Sequence, residues 1–299
     1  MKQTQKKNLS PLGTSLVILA SFFYASYGIW TTLMGNFFGG YTAATLRSVL
    51  VLLILVPIAL VAHKFEKIHW KRDWRYLAGL ALAAALIWGP FYYSILHAGI
   101  GLSLSVNYAS IVIGMFVFGW LFAHERFTKD KALSACIGLI GLALVFLPTI
   151  SGGGSWLALG AAIVSGLNSA ATMVLAKKMP YNATQATILI WMASVVGNIF
   201  MLFFITEPQP LIGWHLEWLY LFLFAVASVI ASWALVKGMK QIDAGIAGIL
   251  GLLEIVFGLL FGIFLFGERP SWVALIGMFV ILLAAAIPYL KDYKKKRMI

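Results

Sequence analysis

The chain has 299 residues, of which 62% are hydrophobic and only 11% charged, a composition too apolar for one or two soluble domains of that length. Its net charge of +12 would suit nucleic acid only if the cations formed one patch, yet 20 of the 22 Lys and Arg fall in the two tails and in alternate loops, the signature of membrane topology and of attraction to anionic headgroups. Nucleic acid is therefore not expected as a partner, and the single cysteine, Cys136, excludes an intramolecular disulfide and a thiolate metal cluster.

Apolar runs close to the roughly 20 residues that cross a bilayer as helix lie at 13–34, 41–62, 75–97, 102–123, 132–149, 156–177, 183–205, 216–237, 244–266 and 271–290. The expected fold is an all-α integral membrane protein with ten transmembrane helices, five in each half. The first run is too long for a secretory h-region and lacks a small-x-small cleavage site, so it reads as a span. The tails and the loops after spans two, four, six and eight carry the cations, which puts the N and C termini in the cytoplasm. Only Arg269 lies on the opposite side, and Arg47 lies within a span. Trp30, Trp70, Trp74, Trp156, Trp214, Trp218 and Trp272 fall near span ends as interfacial anchors.

In chain order, span one offers Tyr24, Tyr27, Gly28 and Thr31 on one face. Arg47, in span two, sits about six residues below the surface opposite the basic loops; it can snorkel to water, make a structural hydrogen bond, pair with Glu254 or recognise an anionic group. Span three carries Trp88 and Tyr92 around an expected kink at Gly89-Pro90. Span four carries Ser103, Asn107, Ser110 and Gly114, span six Ser165, Asn168 and Thr172, span seven Trp191, Ser194 and Asn198, and span eight Ser228, Ser232 and Trp233. A lone Ser or Thr in such a helix usually bonds back to its own backbone, but aligned polar and aromatic faces on six helices point to a central cavity. Spans five and ten, from Ile137 to Leu147 and from Leu275 to Ile287, have no polar side chain. They are expected to be peripheral supports or the face of a homodimer.

Glu254 lies about ten residues into span nine, roughly 15 Å deep and near the bilayer midplane. An ionised carboxylate there is costly, so it should be protonated, hydrogen-bonded or facing water. Gly248, Gly251, Gly258 and Gly262 share its face, which turns the carboxyl toward other helices or a cavity. A proton-coupling or substrate-binding role and a purely structural hydrogen bond are the two readings.

The chain also contains itself twice. Tyr92–Arg126 aligns without a gap on Leu235–Arg269, and the copies end in Glu125-Arg126 and Glu268-Arg269. Copies with an odd number of spans insert in opposite orientations, the construction of secondary transporters that work by alternating access. The Gly-rich stretch PTISGGGSW is the natural joint, dividing the chain into repeats at 1–150 and 155–299. The histidines lie in loops or at span ends, with no paired carboxylates at depth, so an intramembrane enzyme is not expected. No phosphate-cradling Gly-x-x-x-x-Gly-Lys-Ser/Thr run occurs, and no cofactor is expected.

The acidic-Arg pairs at two span exits, each followed by a Gly-bearing apolar helix, together with Arg47 in Ala-Ala-Thr-Leu-Arg-Ser, resemble the EamA-type branch of the drug/metabolite transporter superfamily. The family often has Pro midway along spans four and nine; here Val112 follows Ile111 and Ile255 follows Glu254, so proline-driven unwinding is not expected there. The resemblance implies transport of a small metabolite across the cytoplasmic membrane, more often outward. Aromatic walls with few charges suit a flat or amphipathic solute such as an amino acid, a nucleobase or a drug-like cation. A lipid flippase on the same fold is the nearest alternative.

Overall fold

The computed structural model describes residues 10–150, 155–207, 210 and 213–297, with side chains described as far as residue 290. The centre of the expected Gly-rich joint, 151–154, lies outside the described residues, as do Lys2, Lys6 and Lys7 of the basic N-terminal tail. Among the described residues the fold is all-α, with ten helices long and apolar enough to cross a membrane. They are α1 (Pro11–Met34), α2 (Gly40–Val61), α3 (Trp70–Ala98), α4 (Ile100–Ala123), α5 (Lys129–Thr149), α6 (Trp156–Lys178), α7 (Ala183–Leu202), α8 (Leu216–Met239), α9 (Ala244–Phe266) and α10 (Trp272–Leu290).

Several starts carry their own caps. Ser10, Thr128, Ser155 and Asn182 each accept a hydrogen bond from the backbone N–H three residues on, and so satisfy donors left over at the starts of α1, α5, α6 and α7. Helix α2 is capped from a distance. Glu207, beyond the end of α7, accepts from Tyr41 N at 2.9 Å, Thr42 N at 2.8 Å and the Thr42 hydroxyl at 2.9 Å.

Two of the ten helices are interrupted. Helix α1 consists of Pro11–Ala25 and Tyr27–Met34, and α9 of Ala244–Gly251 and Leu253–Phe266. The second break sits two residues before Glu254 and needs no proline: Gly251 lowers the helical preference, and the Ser21 hydroxyl from α1 donates to the nearby Leu250 carbonyl at 3.2 Å. Helix α4, by contrast, runs unbroken past Ile111, and α3 stays helical through Pro90.

The repeats are interleaved rather than set side by side. Helices α3 and α4 of the first repeat pack on α6 of the second, and α3 also meets α7; by the inverted relation, α8 and α9 pack on α1, and α8 meets α2. The result is two four-helix groups, α3-α4-α6-α7 and α1-α2-α8-α9, each drawing two helices from each repeat and joined by α2 packing on α7 and α4 on the first part of α9. Helices α5 and α10 pair with one another. They touch through glycine: a Cβ on Gly141 would stand 2.8 Å from the Gly277 carbonyl oxygen, and one on Gly277 2.6 Å from that of Gly141. They are peripheral supports, as their apolar sequences suggested, and their mutual packing uses a face that sequence alone left open to a second copy.

Candidate functional site

Helices α4 and α9 meet only over part of their length. Toward the loops rich in lysine they are in contact, Gly248 against Met115, Gly245 against the Phe116 ring and Gly119 against Ala244. Farther along α9, nothing outside the local helix lies within 4 Å of where a Cβ on Gly251 or Gly258 would stand. Glu254 lies on α9 between those two glycines and is half-buried. Tyr108 of α4 donates its hydroxyl to Glu254 Oε1 at 2.6 Å. Sequence reading missed Tyr108, because its position in the second repeat is Gly251 and nothing in the repeat marks it.

Arg47 forms the second centre. It does not snorkel: it is 2% exposed, because the side chain points into the interface between the groups instead of along the helix toward water. It is not paired with Glu254 either; Arg72–Asp73, Lys131–Asp243 and Lys177–Glu125 are ion pairs of this chain, and none among the described residues involves Arg47. Its guanidinium carbon lies over four rings: Phe224 at 4.4 Å, Trp88 at 4.9 Å, Tyr27 at 5.1 Å and Trp191 at 5.5 Å. Trp191 is held in place by a bond from its indole N–H to the Ser232 hydroxyl at 2.9 Å. Phe224, an apolar residue among many, could not have been singled out from sequence. Tyr24 packs edge-on against Tyr27 at 5.2 Å, beside the Arg47 guanidinium that lies over the Tyr27 ring.

Other expected cavity residues have different employment. Asn107 donates to the Ser165 hydroxyl at 2.9 Å and to the Ala162 carbonyl at 3.3 Å, and the Ser110 hydroxyl donates to the Val106 carbonyl, so the polar faces of α4 and α6 meet each other rather than a solute. Asn168 bonds back to Val164 of its own helix. Thr172 is fully buried. Tyr92 stacks edge-on against Tyr41 at 5.2 Å, and the Trp233 indole donates to the Thr184 hydroxyl at 3.2 Å while its ring lies under Lys237. In this structure these side chains lie against neighbouring helices, neighbouring rings or their own backbone. Asn107, Ser110, Asn168 and Trp233 each bond to a nearby group that can satisfy them, whereas the Thr172 hydroxyl is buried without a partner.

One face of the bundle is sealed. Lys177 Nζ, at the end of α6, donates to Glu125 Oε1 and to the Ile242 carbonyl, both at 2.5 Å, while Glu125 Oε2 accepts from Ala244 N at the start of α9 at 2.7 Å. Lys131 pairs with Asp243, and Lys240 donates to the Met179 carbonyl at 2.9 Å. Glu125 occupies a hook that the repeat makes twice. His124 and Gly267 both adopt left-handed φ, 53° and 67°, and the next N–H in each case bonds to a carbonyl six residues back, Glu125 to Gly119 and Glu268 to Gly262, both at 3.0 Å. The first hook is locked by Lys177 and α9. The second, at the opposite face, leaves Glu268 exposed, with no ion pair among the described residues.

An inverted repeat folded in this way defines a multi-pass membrane transporter. The chain belongs to the EamA-like transporter family, which it matches twice, over residues 11–147 and 154–290, and through it to the drug/metabolite transporter superfamily. It is similar to an uncharacterised transporter of Helicobacter pylori, with 24% identity over 97% of this chain and 99% of the relative. It is also similar to solute carrier family 35 member G1 of Mus musculus, with 23% identity over 90% of this chain and 76% of the relative. Its fold matches a solved crystal structure with a TM-score of 0.78 at 16% identity, covering 92% of this chain and 97% of that one.

Proposed function

We propose that the chain is a secondary transporter that exports a small metabolite across the cytoplasmic membrane by alternating access. Both termini face the cytoplasm, the halves 1–150 and 155–299 act as the inverted repeats, and Glu254 is the proton- or substrate-binding group. The observation that carries the reading is the pair of matched hooks. Two local structures equivalent by the repeat stand in opposite conditions, Glu125 locked by Lys177 and Ala244, Glu268 exposed. A machine that exchanges the roles of its repeats needs such inequality in any one state. The open space beside Gly251 and Gly258, on the side away from the locked hook, fits the same state. The bodies that rock are then the two mixed four-helix groups, since each repeat alone is threaded through both.

The test compares solutes in the medium of cells expressing the wild type with those from cells expressing Glu254→Gln at equal membrane abundance. A solute enriched by the wild type and lost in the variant is the expected result and assigns Glu254 to transport. Enrichment unaffected by the substitution would make the carboxyl structural. No enrichment of any solute by the wild type would overturn export and leave uptake or lipid movement.

A further inference from the structure

We infer that Arg47 binds a carboxylate of the cargo, so that the class of solute carried is a carboxylate with a flat or apolar body; the inference rests on the transport reading above. Arg47 is 2% exposed, and both Nε and Nη2 are buried without a hydrogen-bond partner. No ion pair reaches it among the described residues. A fully charged guanidinium withdrawn from water and left without a counter-ion is costly, and the four rings around it offset part of that cost without supplying an acceptor. The missing element is an anion.

The free edge specifies which kind. Nε and Nη2 are the edge by which Arg72 grips Asp73 in this same chain, with Nε to Oδ1 at 2.7 Å and Nη2 to Oδ2 at 3.1 Å. Two parallel donors match the two oxygens of a carboxylate. A single cation neutralises a monoanion and would leave a phosphate dianion with an uncompensated charge in a low-dielectric interior. The rings explain the rest of the solute. Trp88 and Trp191 come from α3 and α7, Tyr27 and Phe224 from α1 and α8, so the guanidinium stands where the two four-helix groups meet. An anion bound there touches both moving bodies, and its flat or apolar remainder lies among aromatic faces.

The first test uses the purified full chain with benzoate as probe and benzamide as its uncharged counterpart, read by tryptophan fluorescence, since Trp88 and Trp191 flank the guanidinium. The expected result is a saturable change with benzoate, weaker by about tenfold or more with benzamide and with Arg47→Gln. Arg47→Lys, which keeps the cation and loses the fork, falls between. Thermal melting separates a recognition residue from a structural one: Arg47→Gln is expected to melt at or above the wild-type temperature, and a large drop would assign Arg47 to packing and overturn the inference. A benzoate response that survives Arg47→Gln unchanged, or no response in the wild type, also overturns it. In the export comparison, solutes lost with Arg47→Gln are each expected to carry a carboxylate. Wild-type export confined to solutes without one defeats this inference while leaving transport standing, whereas absence of any export defeats both.

Discussion

Asn107 acts as a clasp between two membrane helices. Its amide reaches Ser165 and Ala162 across the α4–α6 interface, and Gly166 lets the helices close to the point where a Cβ there would stand 2.7 Å from that of Ser110. Gly166→Ala is therefore expected to destabilise by about 1–3 kcal/mol through overpacking, seen as a lower melting temperature in detergent, while Ser110→Ala, which removes only a bond to its own helix, has a far smaller effect. Tyr108→Phe takes from Glu254 its one described donor, with an expected loss of about 1–2 kcal/mol; Glu254→Gln keeps an acceptor for Tyr108 and should fold normally, so comparing the melting curves of the two variants distinguishes bond from charge. Sequence made Glu254 and Arg47 legible because a charge within an apolar run has few innocent explanations. It could not say which hydroxyls face a solute, since helical spacing gives the face a residue shares and not the neighbour on that face. Tyr108 and Phe224, supplied to the two centres by other helices, were invisible for the same reason.

Helix ends carry the conformational chemistry. The locked hook holds the end of α4 to the start of α9 through Glu125, and Lys177 supplies the counter-charge with its side chain 7% exposed. Lys177→Met leaves that carboxylate unpaired and is expected to weaken the sealed face by about 3 kcal/mol, shifting the population toward the state open on the lysine-rich side. Labelling of a Gly258→Cys reporter, in a background where Cys136 is replaced by alanine, by a membrane-impermeant maleimide measures this. Strong labelling from outside in the reporter chain, reduced when Lys177→Met is added, is the expected outcome, and equal labelling would refute the gate. Glu268→Gln should leave that labelling and the melting temperature unchanged, and slow export if the second hook closes in turn. The repeat of Glu-Arg pairs was plain in the sequence, whereas the left-handed turns that precede them were not. The interruption of α9 at Leu252 was not, because it is made by Gly251 together with a hydroxyl from a helix some 230 residues earlier.

At the scale of the molecule, hydropathy recovered all ten spans because the bilayer fixes helix length. The grouping of those spans escaped it. Two repeats read along the chain suggest two bodies, whereas the contacts thread each repeat through both groups. Replacing Gly141 with leucine should drive α5 away from α10, since the Gly277 carbonyl lies where the first side-chain carbon would go; loss of thermal stability without change in benzoate binding is expected, and a silent substitution would show that the pairing is dispensable.

Interleaving also sets a condition on how the protein is made. When the first five helices have left the ribosome, the partners of α1, α3 and α4 do not yet exist, and the glycine and serine faces that will meet α6, α8 and α9 are exposed to lipid. At about 5–20 residues per second, the nascent chain passes roughly 7–30 s in that condition. A terminated first half is then a substrate for membrane proteolysis, not a functional fragment, while the same half supplied with the second as a separate polypeptide recovers its missing neighbours.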